Sequence, residues 1–548
     1  MDQRNDPTVS GCIDYKRRPA LRSKHGKWRS SAFIIGVEMA ERLAYFGIAA
    51  NLIQFLTGKL GQSTATAATN VSTWTGISLL LPIFGALMAD SFLGKYYTVV
   101  LSSIIYILGL GLLTLTATLP SLGRSIELQS TIFFIALYMV ALGQGGHKPC
   151  VQAFGADQFD GEDPEERKAK SSFFNWWYCG SCIGSITGTA VMSYTQDNLS
   201  WGLGFGIPCI LLVVSLLVFM AGTYTYRFST QREGHSPFRR IGRVIMVAAR
   251  NWRLPHQDEG LLTTQTYNSK SRIYRYKFLD KALIEPLNPG EGRACSEKEV
   301  EEAKAILRLF PIWAATLLFA MLISQPQTFF IKQGVTLDRS IGSKFEIPPA
   351  ALTGFIPVCI VLFVPIYDRL IVPLAQTSTG QPAGITMLQR IGAGMLISIV
   401  AMVVAALVEM KRLKTASEHG LVDSPKARLP MSVAWLLPQC ALFGISDGFT
   451  MVGLQEFFYD QVPDELRSVG LGLYMGIFGT GSILSGALIS VIDQVTSKDG
   501  RQSWFSNNLN QGHLDYFYWL LAGISALGLM LFMYFAKSYI YNKSKARV

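Results

Sequence analysis

Charge is scarce in this sequence and histidine scarcer still. Of 548 residues, 16% are Asp, Glu, Lys or Arg against 49% hydrophobic, a balance too apolar for a soluble chain with this many surface positions. Six histidines are scattered without ligand spacing, which argues against a metal cluster and against an enzyme embedded in the membrane. Eight cysteines give no disulfide framework: Cys150, Cys179, Cys182, Cys209, Cys359 and Cys440 fall in or beside apolar runs, Cys12 and Cys295 in basic segments. Cys179-x-x-Cys182 on a helix reads as small-residue packing. Residues 1–31 lack the apolar core of a cleavable signal, being polar and basic, so the first apolar run is expected to serve as its own insertion signal.

What the chain does have is long apolar runs. Spans of about 20 mostly apolar residues fall near 32–57, 71–92, 97–120, 130–154, 173–194, 204–226, 306–332, 349–370, 384–408, 431–458, 467–491 and 514–536. The expectation is an all-α, multi-pass membrane protein of twelve helices, with the first, seventh and tenth spans weakened by polar residues. The net charge of +11 needs no nucleic-acid partner, because basic residues collect in cytoplasmic loops.

The largest interruption divides the spans six and six, the layout of a two-bundle transporter. The expected organisation is a cytoplasmic tail (1–31), a six-helix bundle (32–226), a basic cytoplasmic linker (227–304), a second bundle (305–536) and a cytoplasmic tail (537–548). An even count then puts both termini in the cytoplasm. Within the linker, Phe238 to Val247 reads as a basic amphipathic helix lying on the membrane surface, and Ser296-Glu297-Lys298-Glu299 as a capping box. One loop disagrees: Lys411, Arg412, Lys414, Lys426 and Arg428 fall between spans nine and ten, on the outer side.

Glu38, Glu41 and Arg42 stand inside the first apolar run. Each ionisable group at mid-membrane costs about 2.5–3.5 kcal/mol on insertion scales, so such groups need partners and commonly line a polar pathway. At helical spacing the three share one broad face, which Tyr45 continues one turn on. A structural salt bridge that glues helices together is the other reading. Lys148, just before Pro149 and after glycines at 143, 145 and 146, is a lone lysine in span four and needs a carboxylate partner, which Glu456 in span ten supplies from the other half. Asp447, nine residues earlier on the same span, is out of phase with Glu456 and is expected on another surface. His147 points about 100° from Lys148, toward packing or a loop.

Two turns echo one another. Gly85 to Tyr96 carries Asp90 and Lys95 around Gly94, and Pro365 to Leu370 carries Asp368 and Arg369. Charged turns of this kind are common punctuation, yet they can also latch helices on one side of the membrane as bundles rock.

The Gly85 to Lys95 pattern resembles the loop signature of the major facilitator superfamily. Glu38-x-x-Glu41-Arg42 with Tyr45-Phe46-Gly47 is similar to the first-helix signature of its proton-coupled oligopeptide transporter branch, as are Gly143 to Pro149, Phe154 to Phe159, Gln455 to Tyr459 and Asn508-Leu509-Asn510. Phe173 to Tyr178 and His513 to Trp519 resemble the plant nitrate transporter/peptide transporter family, and the similarity runs from about residue 30 to 540. The resemblance implies the major facilitator fold and a proton-driven symporter working by alternating access between two six-helix halves. Residue by residue, Glu38, Glu41 and Arg42 match the proton-coupling cluster, Lys148 the fourth-helix lysine linked to coupling and to an anionic substrate group, and Glu456 a tenth-helix glutamate facing Lys148. Tyr45, Tyr178 and Gln325 are the further cavity candidates. The coupling ion is the proton and no cofactor is implied; the partners are a small-molecule substrate and membrane lipid. Tyr178 stands where peptide-carrying members have an asparagine, which weakens the case for a di- or tripeptide, and span seven lacks a histidine associated with nitrate in one branch. Nitrate is favoured, with peptides, hormones or other metabolites as alternatives, at the plasma or vacuolar membrane. A passive channel is the reading from another class.

Overall fold

The computed structural model describes residues 8–118, 126–160, 163–229, 237–253, 276–283, 295–341, 345–379, 385–425, 427–463, 467–498 and 502–539. Twelve helical crossings are present among them. The first half comprises α1 (Lys27–Ala49) continued by α2 (Leu52–Gly58), α3 (Thr64–Met88), α4 (Lys95–Thr118), α5 (Ile126–Ala156), α6 (Pro164–Thr187) continued by α7 (Ser193–Asn198), and α8 (Trp201–Ala221). After a linker helix α9 (Pro237–Arg250), the second half comprises α10 (Glu297–Ala320) continued by α11 (Ile331–Thr336), α12 (Phe355–Ile366) with α13 (Val372–Thr379), α14 (Met387–Glu418), α15 (Leu437–Asp460), α16 (Arg467–Thr496) and α17 (Leu514–Lys537). This is the major facilitator arrangement of two six-helix bundles.

Eight helices are long and apolar enough by themselves to cross a membrane. Those that fall short are α1, α6, α12 and α15, whereas the seventh crossing, expected to be weak, qualifies. The reason is local. Its polar residues Gln325, Gln327 and Lys332 gather past the apolar stretch, where Pro326 opens a π-helical turn (Pro326–Phe330) between α10 and α11.

Some helix starts are written plainly in the sequence. Asp163 caps α6 by accepting from the amides of Glu165 and Glu166, with Pro164 at the first helical position where its missing N–H costs nothing. Ser296 and Glu299 form the expected capping box on α10. Gly94, at φ 75°, ends the turn between α3 and α4.

The N-terminal segment is structured from residue 8. Strands β1 (Thr8–Ile13), β2 (Pro19–Leu21) and β3 (Phe228–Ser229) form an antiparallel sheet in the order β2-β1-β3 at the end of the bundle that carries the chain termini. Arg22 reaches Asp160 at 2.6 Å, Asp163 at 3.0 Å and Glu166 at 3.3 Å, and Arg227 pairs with Glu166 at 2.6 Å. Burial alone would push the Glu166 carboxyl up, but the Arg227 hydrogen bond, the Asp160 amide and the Arg227 and Lys27 charges outweigh it and hold it below its ordinary 4.5.

The linker helix α9 packs on protein. Val244 and Ala248 lie against Leu279, Ala282, Val300 and Ala303, and Arg240 reaches Glu302 at 3.5 Å. One part of its apolar surface thus packs on the start of α10, while Ile245 and Met246 stay exposed.

The basic residues between spans nine and ten are drawn into local contacts. Arg412 is inside the second bundle, paired with Glu409 at 2.7 Å. Lys411 lies over the Trp435 ring, 3.2 Å from its centroid, Lys414 pairs with Glu418 and Arg428 with Glu346. Lys426 lies outside the described residues. Four of the five cations, Lys426 aside, thus have local partners.

The halves meet at the end opposite the termini. Thr64 donates its amide to Asn507 at 2.9 Å, Thr69 donates to the Gly486 carbonyl at 3.2 Å, and Thr75 to Gln327 at 3.3 Å. Gly76 and Gly479 let α3 and α16 touch backbone to backbone: a Cβ on Gly76 would stand 2.5 Å from the Gly479 carbonyl oxygen.

Candidate functional site

The polar centre of the first half is built on α1. Spacings of three and four residues put Glu38, Glu41 and Arg42 on one face, and all three are buried. Arg42 Nε donates to Glu38 Oε1 at 2.7 Å and lies 3.1 Å from Glu41 Oε2. One guanidinium thus serves two carboxylates.

Glycines bring the neighbouring helices in. A Cβ on Gly184 of α6 would meet the Met39 carbonyl oxygen at 2.5 Å and Arg42 Cβ at 2.9 Å. On α5, a Cβ on Gly143 would meet Tyr106 at 2.6 Å and one on Gly145 would meet Leu81 at 2.6 Å. Bare backbone at these positions lets α5 seat against α3 and α4, and carries His147 and Lys148 toward α1.

Lys148 lies within electrostatic reach of Arg42, Glu41 and Glu38, without closing a direct ion pair to a described carboxylate. His147 is buried, at 1% exposure, and feels the charges of Glu38 and Arg42. Its burial agrees with the packing role expected of it, and it packs at the polar centre rather than toward a loop. Tyr106 of α4 is a member the sequence did not announce, fully buried and within electrostatic reach of Glu41 and Arg42.

Hydrogen bonding within this centre is incomplete. Glu38 Oε2, both oxygens of Glu41, Arg42 Nη2, Tyr106 Oη and His147 Nδ1 are buried without a hydrogen-bond partner among the described residues. Each such group costs about 1–3 kcal/mol if left dry. A cluster of them on facing helices makes a polar centre whose hydrogen-bonding needs water, protons or a polar solute could meet. Tyr45 belongs to the wall: its ring stacks on Trp74 at 5.5 Å, and Trp74 donates to the Leu137 carbonyl at 3.0 Å.

The second half differs from the sequence expectation. Glu456 does not meet Lys148; it lies 3.7 Å from Arg390 of α14 and is 47% exposed. Arg390 is held over the Tyr367 ring at 4.5 Å and reaches the Gly448 carbonyl at 3.4 Å. Half a turn out of phase, as its spacing requires, Asp447 is the buried carboxylate of α15, and its Oδ1 has no hydrogen-bond partner among the described residues. Helical phase separates the two acids but does not say which one faces inward.

Gln325 turns into its own half, donating to Ser485 Oγ at 3.1 Å and to the Met321 carbonyl at 3.3 Å. Gln327 takes the position between halves through Thr75. Lys95 pairs with Asp157 at 2.6 Å, so the charged partner at this turn comes from the Phe154 to Phe159 segment. The side chains of Asp90, Asp368 and Tyr178 lie outside the described residues. Arg369 is exposed.

The POT family model, PTR2, matches residues 96–505. Protein NRT1/PTR FAMILY 5.10 of Arabidopsis thaliana is 56% identical over 552 aligned residues, covering 99% of this chain and 98% of the relative. Protein NRT1/PTR FAMILY 5.12 of the same plant is 53% identical, again covering 99% and 98%. Among solved structures, the POT family transporter PepTSo in a crystal grown in meso aligns with a TM-score of 0.73 at 21% identity, covering 94% of this chain and 99% of that one. An auto-inhibited POT family peptide transporter aligns with a TM-score of 0.71 at 22% identity, covering 94% and 98%. Matched along nearly its whole length, the chain belongs to the POT family of membrane transporters, on the branch of the plant NRT1/PTR proteins.

Proposed function

We propose that this transporter is a proton-coupled symporter that carries a small nitrogenous or anionic solute, nitrate first among them, by alternating access. The observation that carries the reading is the sharing of Arg42 between Glu38 and Glu41 in a buried chamber that also holds Lys148. Glu38 holds the guanidinium by a direct hydrogen bond; Glu41 touches it without one. Glu41 is therefore the carboxylate that accepts a proton at lower cost, since Arg42 keeps a full counter-ion when Glu41 is neutral.

Protonation of Glu41 also changes the balance around Lys148. With both acids charged, two negative charges face two positive ones; with Glu41 neutral, one positive charge is in excess and an anion restores neutrality. Proton and anion then enter together, which is the stoichiometric logic of symport. Asp447 adds a buried carboxylate on the other half, in place of the Glu456 contact expected from sequence. With the halves joined at the end opposite the termini, the chamber opens toward the end that bears them, which the six-and-six layout assigns to the cytoplasm.

Reconstitution in liposomes tests the reading. Symport gives nitrate uptake driven by an inward proton gradient. Flux indifferent to the gradient supports a passive channel, and uptake of a zwitterionic dipeptide with none of nitrate supports the peptide alternative.

A further inference from the structure

Lys332 is a cation the chamber does not account for. It lies on α11, at the end opposite the termini, and its Nζ donates to Thr57 Oγ1 on α2 of the other half at 2.6 Å. The Thr57 hydroxyl spends its own proton on the Ile53 carbonyl at 2.9 Å, so it meets the ammonium as a neutral acceptor. Burial is the influence that dominates its surroundings, and no described carboxylate forms an ion pair with it. Acids and bases nearby are already engaged: Asp197 accepts from Asn51 at 2.9 Å, Glu409 is taken by Arg412 and Gln333, and Arg339 lies 3.8 Å from Glu346.

An ammonium has three donors, and one neutral oxygen satisfies one of them. For closing two helices together, a methionine or glutamine would do better than a partly desolvated charge. Such a charge gains most when this end opens, because parting the halves breaks the Thr57 contact and exposes the ammonium at the new mouth. There it meets either water or a solute anion.

Resting on the transport reading above, the structure assigns Lys332 as the first contact for an anionic solute at the end opposite the termini, a role separate from that of Lys148 in the chamber. The ammonium, sequestered against Thr57 in the closed state, is released to bind a small oxyanion or carboxylate in the open one. Thr57 is its resting place rather than part of the anion site.

Full-length protein in liposomes, with nitrate as the probe and an inward proton gradient, tests this. Lys332→Met is expected to raise the KM for nitrate by about tenfold or more, the loss of one charge-assisted hydrogen bond, while the maximal rate stays within about twofold. Lys332→Arg is expected to keep the wild-type KM. Thr57→Val, which removes the resting contact but leaves the charge, is expected to leave KM unchanged or lower it. A wild-type KM in Lys332→Met overturns the assignment, and so does a Thr57→Val variant whose KM rises as far as that of Lys332→Met, since Lys332 is then only a strut between halves. Wild-type protein whose nitrate flux ignores the proton gradient sinks the symport reading while leaving the KM comparison decisive for Lys332. Absence of any nitrate flux in the wild type overturns both.

Discussion

Arg412 grips Glu409 with two parallel hydrogen bonds, Nε to Oε2 at 2.8 Å and Nη2 to Oε1 at 2.7 Å, with both side chains at 1% exposure or less. Its remaining donors reach Asn510 at 2.7 Å and the Leu509 carbonyl at 2.6 Å, while Gln333 donates to Glu409 at 2.7 Å. A fully satisfied pair of this kind is bidentate and geometrically specific. It also explains Asn508 and Asn510, which tie the loop before α17 to the Val422 and Leu421 carbonyls.

Breaking that pair from one side strands a buried charge. Arg412→Leu is expected to destabilise the protein by about 3–5 kcal/mol, seen as a lowered melting temperature in detergent. Adding Glu409→Leu is expected to recover most of the loss, because no ion is then left unpaired. A double variant no more stable than the single one contradicts this account.

Glu41→Gln fixes that carboxyl in a neutral form. Proton-driven nitrate accumulation is expected to be lost, while exchange of labelled for unlabelled nitrate across the membrane continues. Lys148→Gln is expected to abolish both, as it removes the cation that an anion neutralises. Normal accumulation by Glu41→Gln rules out Glu41 as the coupling acid.

The cluster at Glu166 has a definite pH sign. Its carboxyl is held below 4.5 in the folded protein, so its contribution is fully present above that ordinary value and disappears as pH falls through the lower folded value. The melting-temperature gap between wild type and Glu166→Gln is expected to be largest near neutral pH and to shrink as the solution is acidified below 4.5. A gap that widens on acidification reverses the sign and the explanation with it.

Gly184→Val tests the approach of α6 to α1. The first added carbon already meets the Met39 carbonyl oxygen at 2.5 Å, and backbone cannot step aside as a side chain can. A loss of about 1–3 kcal/mol is expected from overpacking, read as a fall in melting temperature, together with weaker proton coupling as Arg42 is displaced. Gly36, where an added carbon meets nothing within 4 Å, is the control: Gly36→Ala is expected to be neutral.

Much of the fold was legible because a membrane makes its demand residue by residue: eight helices meet it by themselves, and the other four crossings still show as shorter or more polar apolar runs. The α1 cluster was legible for the same reason, since Glu38, Glu41 and Arg42 break a run that has no other cause to break. What could not be read is orientation about a helix axis. Asp447 and Glu456 were separable by phase, yet the choice of buried partner depends on where α12 and α14 pack. Lys95 finds Asp157 across 62 positions of sequence, beyond any local pattern. The Glu409 and Arg412 pair did leave a signal, acid and base three residues apart at the end of an apolar helix, which a count of loop charges overlooks.

The sheet at the N-terminus has a consequence for how the chain is made. β1 pairs Cys12 with Ser229 and Ile13 with Phe228, so its outer edge has no partner until the sixth crossing has been synthesised. The β1–β2 pairing is local and can form early, whereas closure by β3 waits for the chain beyond α8. Closure by β3 ties the segment before α1 to the segment after α8, so the sheet clasps the two ends of the first bundle together.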